Sequence, residues 1–439
     1  MHISVIGCGY LGAVHAACMA TLGHDVTGFD VDTAKIDALQ RGEAPFFEPG
    51  LPALLSEAMA TGRLSFSTDP ASVQGATVHF VCVGTPQTAG SDAADMTYVD
   101  AAFTALLPHL NDGDLVVGKS TVPVGTAERL AEQLAAAPQS ATLVWNPEFL
   151  REGFAVKDTL HPDRVVYGVP DGPAGERATQ VLDEVYAAPL ADGTPRIVTD
   201  YATAQLVKVA ANSFLATKIS FINAMAELCE ATGADVTQLA DAIGHDARIG
   251  RRFLNAGLGF GGGCLPKDIR AFMARADELG VDQALSFLRE VDAINARRRE
   301  RMVALAQDEL GGSVSGRRIA VLGASFKPNS DDIRDSPALD VAASLDELGA
   351  HVVVTDPEAN ANAKARQPQL TFAPSAEDAV AGAELVLLLT EWQEFVDLDP
   401  TALGALVDSR RILDGRNALD PAAWRAAGWT YRALGRGKH

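Results

Sequence analysis

The stretch GFGGGCLPKD, residues 259–268, sets Cys264 behind three consecutive glycines and just ahead of Lys267 and Asp268. A cysteine attacks as its thiolate. An ordinary thiol titrates near pH ~8.5, so a nucleophile needs nearby cations or exposed backbone N–H groups to favour the anion. Gly261, Gly262 and Gly263 could expose such N–H groups, and Lys267 is a cation within the stretch. A flexible turn that happens to hold a thiol accounts for the stretch equally well. Other groupings are also suited to chemistry. Gly7, Gly9 and Gly12 form GxGxxG; Lys208 and Asn212 lie four residues apart; Glu148 and Glu152 lie in NPEFLREG, residues 146–153. Lys327 and Arg334 share the segment GASFKPNSDDIR, and Arg416 lies in DGRN.

The elements that must position these residues follow from pattern. Residues 2–6 read as a strand, 11–22 as a helix and 25–29 as a second strand closed by Asp30, which makes one βαβ unit around the glycines. In that context GxGxxG is a dinucleotide fingerprint. The first two glycines let the backbone turn and approach a pyrophosphate, the third admits close helix packing, and the helix N-terminus offers unpaired N–H groups. Asp30 would accept from the adenosine ribose hydroxyls and repel a 2′-phosphate, which favours NAD over NADP. Apolar runs at 77–83, 114–121 and 142–149 alternate with helical patterns at 97–110 and 126–137, so a parallel sheet covered by helices is expected. NPEFLREG follows the last of these strands, with Asn146 and Pro147 in position to cap and start a helix. Its acids are then an ordinary acidic first turn or a carboxylate at the strand ends.

Residues 201–232 carry no Pro or Gly between a capping Asp200 and a stopping Gly233, which predicts one long helix. Lys208 and Asn212 project from one face of it. With Leu206, Val207, Val209 and Ala210 around it, Lys208 reads on helix context alone as a snorkelling side chain. Helical patterns at 235–243 and 280–310 complete a helical middle section. From about residue 316 the strand, turn, helix, strand order repeats and again ends on an acid, Asp356. This second unit has only Gly323 in its first turn, so a second dinucleotide site is not expected. Lys327, Arg334 and Arg416 instead suggest an anion at the strand C-termini. The expected fold is two doubly wound, Rossmann-like α/β domains, 1–198 and 313–439, joined by a central helical domain, 199–312.

Composition narrows the partners. The 439-residue chain carries a net charge of −21, which argues against nucleic acid or an anionic membrane surface. The basic run ARRRER, 296–301, is expected to be a solvated helix face. Cys8, Cys18, Cys82, Cys229 and Cys264 form no CxxC pair, so neither a disulfide framework nor a metal site is expected, and a reducing cytoplasm fits. The apolar N-terminus lacks the basic flank of a signal peptide, and no stretch reaches transmembrane length without polar residues. The end, ALGRGKH, reads as a frayed tail.

Taken in order, GxGxxG, NPEFLREG, LVKVAANSF, RIG, GFGGGCLPKD and GASFKPNSDDIRDSP resemble the UDP-glucose/GDP-mannose 6-dehydrogenase family over nearly the whole chain. The resemblance implies four-electron oxidation of a nucleotide sugar's C6 alcohol to a carboxylate, with NAD as acceptor twice in succession. The aldehyde would be held on Cys264 as a thiohemiacetal and then a thioester. It implies that Lys208 stabilises an oxyanion with Asn212 as a further donor, that Asp268 and Thr121 orient water or take part in the first proton removal, and that Glu148 is the base for hydrolysis. Which of Asp268, Glu148 and Lys208 is the base in each half stays open. By the same resemblance the nucleotide sugar meets Phe149, Leu150, Arg151, Glu152, Lys208, Asn212, Arg248, Asn255, Phe260, Gly261, Lys327 and Arg416. NAD meets Gly7, Gly9, Tyr10, Leu11, Gly12, Asp30, Lys35, Thr85, Thr121, Glu152, Lys267 and Arg334. The glycines before Cys264 would leave room for sugar and nicotinamide. The long helix would form a homodimer interface. UDP-glucose is the leading substrate, with GDP-mannose or a UDP-N-acetylhexosamine as alternatives. A two-electron hydroxyacid dehydrogenase would have no use for Cys264, and a non-enzymatic NAD-binding regulator would not need the other positions filled. The chain departs from the family pattern at Gly263, where Ser is frequent, and Arg151 sits in a variable place.

Overall fold

A computed structural model describes residues 1–437. The chain divides into two units, Met1–Ala211 with Arg270–Gly280, and Asn212–Ile269 with the chain from Val281 onward.

The first unit is built on eight strands: β1 His2–Ile6, β2 Asp25–Phe29, β3 Leu64–Ser67, β4 Val78–Val81, β5 Leu115–Gly118, β6 Thr142–Trp145, β7 Val165–Gly168 and β8 Arg196–Thr199. Their order across the sheet is β3-β2-β1-β4-β5-β6-β7-β8. All neighbours are parallel except β6 and β7, which meet through Trp145 and Gly168. Parallel strands covered on both faces are buried on both sides: β4 (VHFV) and β5 (LVVG) are buried at every residue, and the one polar side chain among them, His79, is hydrogen-bonded to Ser4 and Asp114. The sheet changes direction of winding at β1, which pairs with β2 on one side and β4 on the other. A crevice opens at such a switch point, beyond the strand C-termini, and the glycine turn leaves β1 there. The helix that follows, Tyr10–Thr21, is buried from Gly12 to Ala20, because its small apolar residues allow it to lie flat against the sheet. The helix expected over 97–110 ends at Leu106 and continues as a tight turn, Leu107–His109, since Pro108 supplies no N–H to extend it.

The second unit repeats the plan with six parallel strands: β9 Arg318–Leu322, β10 His351–Thr355, β11 Thr371–Phe372, β12 Leu385–Leu388, β13 Arg411–Asp414 and β14 Thr430–Ala433. They are ordered β11-β10-β9-β12-β13-β14, with β9 at the switch point. The long helix spans Tyr201–Thr232 and passes from the first unit to the second at Ala211. Helices Val236–Gly244, Leu265–Glu278 and Phe287–Glu309 follow, the last starting later than expected because a short turn, Asp282–Leu285, precedes it.

Two expectations fail in the second unit, for the same physical reason. ARRRER is a solvated face only at Ala296, Arg297 and Glu300. Arg298 is 0% exposed and donates to Glu230, as does Arg301, while Arg299 pairs with Asp340. The chain end is not frayed through Gly437 either. Leu434 is buried, the Gly435 amide donates to Glu230, and Arg436 donates to Asn417. Glu230 thus gathers two arginines and the tail at a single partly buried carboxylate. A lone buried charge costs several kcal/mol, so each side needs the other. Lys438 and His439, also part of that expectation, lie outside the described residues. Among the described residues no helix is long and apolar enough to cross a membrane, and no cluster of His, Cys, Asp and Glu is arranged to hold a metal.

Candidate active site

In the first unit the glycine turn has the shape a dinucleotide needs. Gly7 has φ of 88°, and a Cβ on Gly12 would overlap the Gly7 carbonyl, so the two glycines fold the turn onto the helix start. Gly9 is different: nothing lies within 4 Å of where its side chain would be. It caps the helix without a side-chain hydrogen bond, which leaves N–H groups for a ligand. Asp30, at the end of β2, accepts from the Cys8 amide at 2.8 Å, from the Asp32 amide at 3.0 Å and from Lys35 Nζ at 2.8 Å. Lys35 neutralises much of the charge on Asp30. With its charge so paired, Asp30 stands at the end of β2 chiefly as a hydrogen-bond acceptor. Thr85 donates through its hydroxyl to the Thr121 carbonyl at 2.8 Å, which joins the loops after β4 and β5.

The residues after β6 do not begin a helix. Asn146 and Pro147 enter an irregular loop, and the helix starts only at Ala155. Asn146 cannot cap it because its side chain is taken inside the unit, accepting from Lys119 at 3.1 Å and Tyr186 at 2.7 Å and donating to the Val166 carbonyl at 3.0 Å. Freed from a helix, Glu148 folds back on its own loop. One oxygen accepts from the Phe149 and Leu150 amides at 2.7 and 3.0 Å, and the other lies 3.0 Å from Lys119 Nζ. Burial by itself raises the Glu148 carboxyl, but Lys119, these hydrogen bonds and Lys208 outweigh it and hold the group below the ordinary carboxylate range. Lys208 stands over the Phe149 ring at 5.5 Å, with Arg164 on the same ring at 3.8 Å. Arg151 pairs with Asp158, and Glu152 is buried beside it.

In the second unit Cys264 is exposed and immediately precedes the helix Leu265–Glu278, where the Asp268 amide donates to its carbonyl at 2.9 Å. A helix N-terminus is the kind of place that stabilises a thiolate. Asp268, 2% exposed, accepts from Asn212 Nδ2 at 2.7 Å and from Lys267 Nζ at 2.6 Å.

The glycines before Cys264 serve packing within the unit. Side chains on Gly259, Gly261, Gly262 and Gly263 would overlap Asn295, the Asp335 carbonyl, the Phe326 ring and the Arg334 guanidinium respectively. The volume read as room for ligands is, at those positions, filled by the protein. Asn295 holds Phe260 at both ends, accepting from its amide at 2.8 Å and donating to its carbonyl at 2.9 Å. Arg416 reaches the same loop, donating to the carbonyls of Gly259, Leu389 and Phe326 at 3.0, 2.7 and 3.2 Å. Lys327 lies 5.2 Å over the Phe326 ring. Arg334 pairs with Asp332, Arg248 with Asp246, and Asn255 accepts from Arg251. Asp356, the counterpart of Asp30, is 2% exposed and accepts from the amides of Ala324, Ser325, Glu358 and Ala359, the Ser325 hydroxyl and the Trp392 ring N–H.

Residues 1–189, 202–297 and 320–421 match, in turn, the NAD binding domain, the central domain and the UDP binding domain of the UDP-glucose/GDP-mannose dehydrogenase family. The chain belongs to that family. Among family relatives, a UDP-glucose 6-dehydrogenase of Rhizobium meliloti (strain 1021) is 42% identical over 439 residues, covering 99% of this chain and 100% of the relative. The UDP-glucose 6-dehydrogenase TuaD of Bacillus subtilis (strain 168) is 39% identical over 99% of this chain and 93% of its own. A solved UDP-glucose dehydrogenase of Pyrobaculum islandicum superposes with a TM-score of 0.89 at 37% identity, covering 99% of this chain and 98% of that one.

Sequence reading of this family member missed Lys119, Asn295 and Glu48. Lys119 carried a signal in VGKST, a lysine at the end of an otherwise apolar strand. It is 4% exposed and is the cation beside Glu148. Asn295 lay hidden among helical residues, with nothing in its neighbourhood to mark it.

Proposed function

We propose that the chain oxidises the C6 alcohol of UDP-glucose to the carboxylate, with water and two equivalents of NAD. The observation that carries this reading is Cys264, exposed at a helix N-terminus and one turn from a buried Asp268 already tied to Asn212 and Lys267. The names of the relatives, UDP-glucose 6-dehydrogenases, favour UDP-glucose among nucleotide sugars.

Bound NAD supplies the hydride acceptor for each oxidation. The residues fit it: the open flank of Gly9, the unpaired helix start and the lone-pair capacity left on Asp30 would hold its pyrophosphate and ribose. Loss of a hydride and a proton turns the C6 alcohol into an aldehyde. The Cys264 thiolate adds to that carbon, and the new alkoxide takes a proton to give a thiohemiacetal. Loss of a second hydride and a proton gives a thioester, and water displaces the thiolate to leave the carboxylate. Lys208 and Asn212 place cationic and amide N–H donors on successive turns of one helix face, suited to an oxyanion in both tetrahedral states. Glu148 is ionised at neutral pH and so is able to take a proton from water; Asp268, with Thr121, would orient that water. The thiol must stay reduced, which favours the reducing cytoplasm as the setting of the reaction.

A homodimer is the assembly we propose. Phe214, Phe221 and Leu228, at seven-residue intervals on the long helix, are 67%, 48% and 57% exposed. That spacing makes one apolar seam, which a second copy of the helix would cover.

The test offers NAD with UDP-glucose, GDP-mannose or a UDP-N-acetylhexosamine and counts NADH. UDP-glucose should yield two NADH per sugar with no free aldehyde, and Cys264→Ala should lose nearly all turnover. One NADH per sugar, or an alanine variant of full activity, removes the thioester route.

A further inference from the structure

Tyr10 is the first residue of the helix after the cofactor turn, and its phenol leaves the turn to donate to Glu48. Glu48 sits in the FFEPG segment before the helix Leu51–Ala60 and is 2% exposed. Both its oxygens are bound. One accepts from Tyr10 and, at 2.7 Å, from the Gly153 amide; the other accepts from the Ala155 amide at 2.7 Å. The Gly153 amide is also 3.0 Å from the Tyr10 oxygen, so the three groups close on one another. Ala155 opens a helix whose own capping residue, Phe154, provides no side-chain acceptor; Glu48 supplies it from more than a hundred residues away.

These contacts join two pieces of the first unit that the sequence separates. At one end is the glycine turn with its free helix N–H groups. At the other is the Glu148–Gly153 loop, which carries the carboxylate held by Lys119 as well as Phe149 and Glu152. A buried carboxylate without donors costs several kcal/mol, so neither end can move without unsatisfying Glu48. Phe46 lies against the Tyr10 ring with centroids 4.6 Å apart and restricts where the phenol can go.

We propose that Glu48 is a positioning residue that couples the two ligands: a dinucleotide seated on the glycine turn fixes Tyr10, and through Glu48 fixes the loop that meets the nucleotide sugar. This rests on the functional reading above. Coupling of this kind is reciprocal, so each ligand tightens the other by the same factor. It suits a reaction in which cofactor is exchanged while the sugar stays attached, because departure of NADH would loosen the loop for the second NAD to reset.

NADH and UDP-glucose together cannot react, so they report binding alone. UDP-glucose is titrated calorimetrically into wild-type protein with and without saturating NADH. An affinity gain of about fivefold, in the usual range for coupled sites, is expected. Tyr10→Phe keeps the ring stack and removes the hydroxyl, and Glu48→Gln keeps the size; in both the gain, taken as the ratio of UDP-glucose affinities with and without saturating NADH, should fall towards onefold. A merely structural Glu48 would leave that ratio unchanged. Equal UDP-glucose affinity with and without NADH in wild type, or a full gain in Tyr10→Phe, overturns the coupling. Should Glu48→Gln fail to fold, Tyr10→Phe decides alone. Wild-type protein that binds neither ligand sinks the functional reading itself, an outcome distinct from uncoupled binding.

Discussion

At Glu148 two opposed effects meet. Desolvation pushes the carboxyl up, while Lys119 at 3.0 Å, itself 4% exposed, and the Phe149 amide pull it down and win. The unfolded group titrates near ~4.3, and the folded one lies below that. Its contribution to stability is therefore complete above the unfolded value and is lost as pH falls through the folded value. Melting temperature followed from pH 7 down to pH 3 should show an acid limb for wild type that is flatter in Glu148→Gln. A limb equally steep in both would mean other carboxylates control acid unfolding. Lys119 moves the opposite way: burial lowers it, and Glu148 more than restores it, so the pair remains ionised across the neutral range.

At the scale of elements, the loop before Cys264 is fixed by what its glycines touch. A methyl group on Gly261 would meet the backbone carbonyl of Asp335, which cannot step aside, whereas one on Gly263 would meet the end of the Arg334 side chain, which can. Gly261→Ala should cost the second unit about 1–3 kcal/mol, as overpacking does, and Gly263→Ala about 0.5 kcal/mol or less. Urea unfolding followed by a probe in the second unit, such as Trp392, Trp424 or Trp429, would separate them; equal costs would contradict the packing. The same loop shows what sequence could and could not provide. Strand periodicity, GxGxxG and the uninterrupted run to Gly233 located both sheets and the long helix, because those signals are local. Asn295 with Phe260, and Glu48 with Tyr10 and Gly153, escaped because each link joins residues 35 or more positions apart. NPEFLREG has the local pattern of a helix start yet forms a loop, for the converse reason. Asn146 is a good cap in isolation, but Lys119, Tyr186 and Val166 claim its side chain first.

At the scale of the whole molecule, assembly is the open consequence of the long helix. Phe221, 48% exposed between Phe214 and Leu228, stands in the middle of the apolar seam. Phe221→Asp would place a charge where a second copy must bury it, so sedimentation should show the variant as a monomer at concentrations where the parent is a dimer. A parent that sediments as a monomer would set the dimer aside.

The proposed reaction also sets a sorting problem, since NAD and a UDP-sugar both carry ribose and pyrophosphate and the chain holds two sheets of the same plan. Asp356 resolves it by saturation. Six donors converge on its two oxygens, more than the roughly four lone-pair sites a carboxylate has. Asp30 receives three donors and keeps capacity for a ribose hydroxyl. Asp356 thus has no acceptor left for a ribose hydroxyl, because the second sheet's own amides, the Ser325 hydroxyl and the Trp392 ring N–H have taken it.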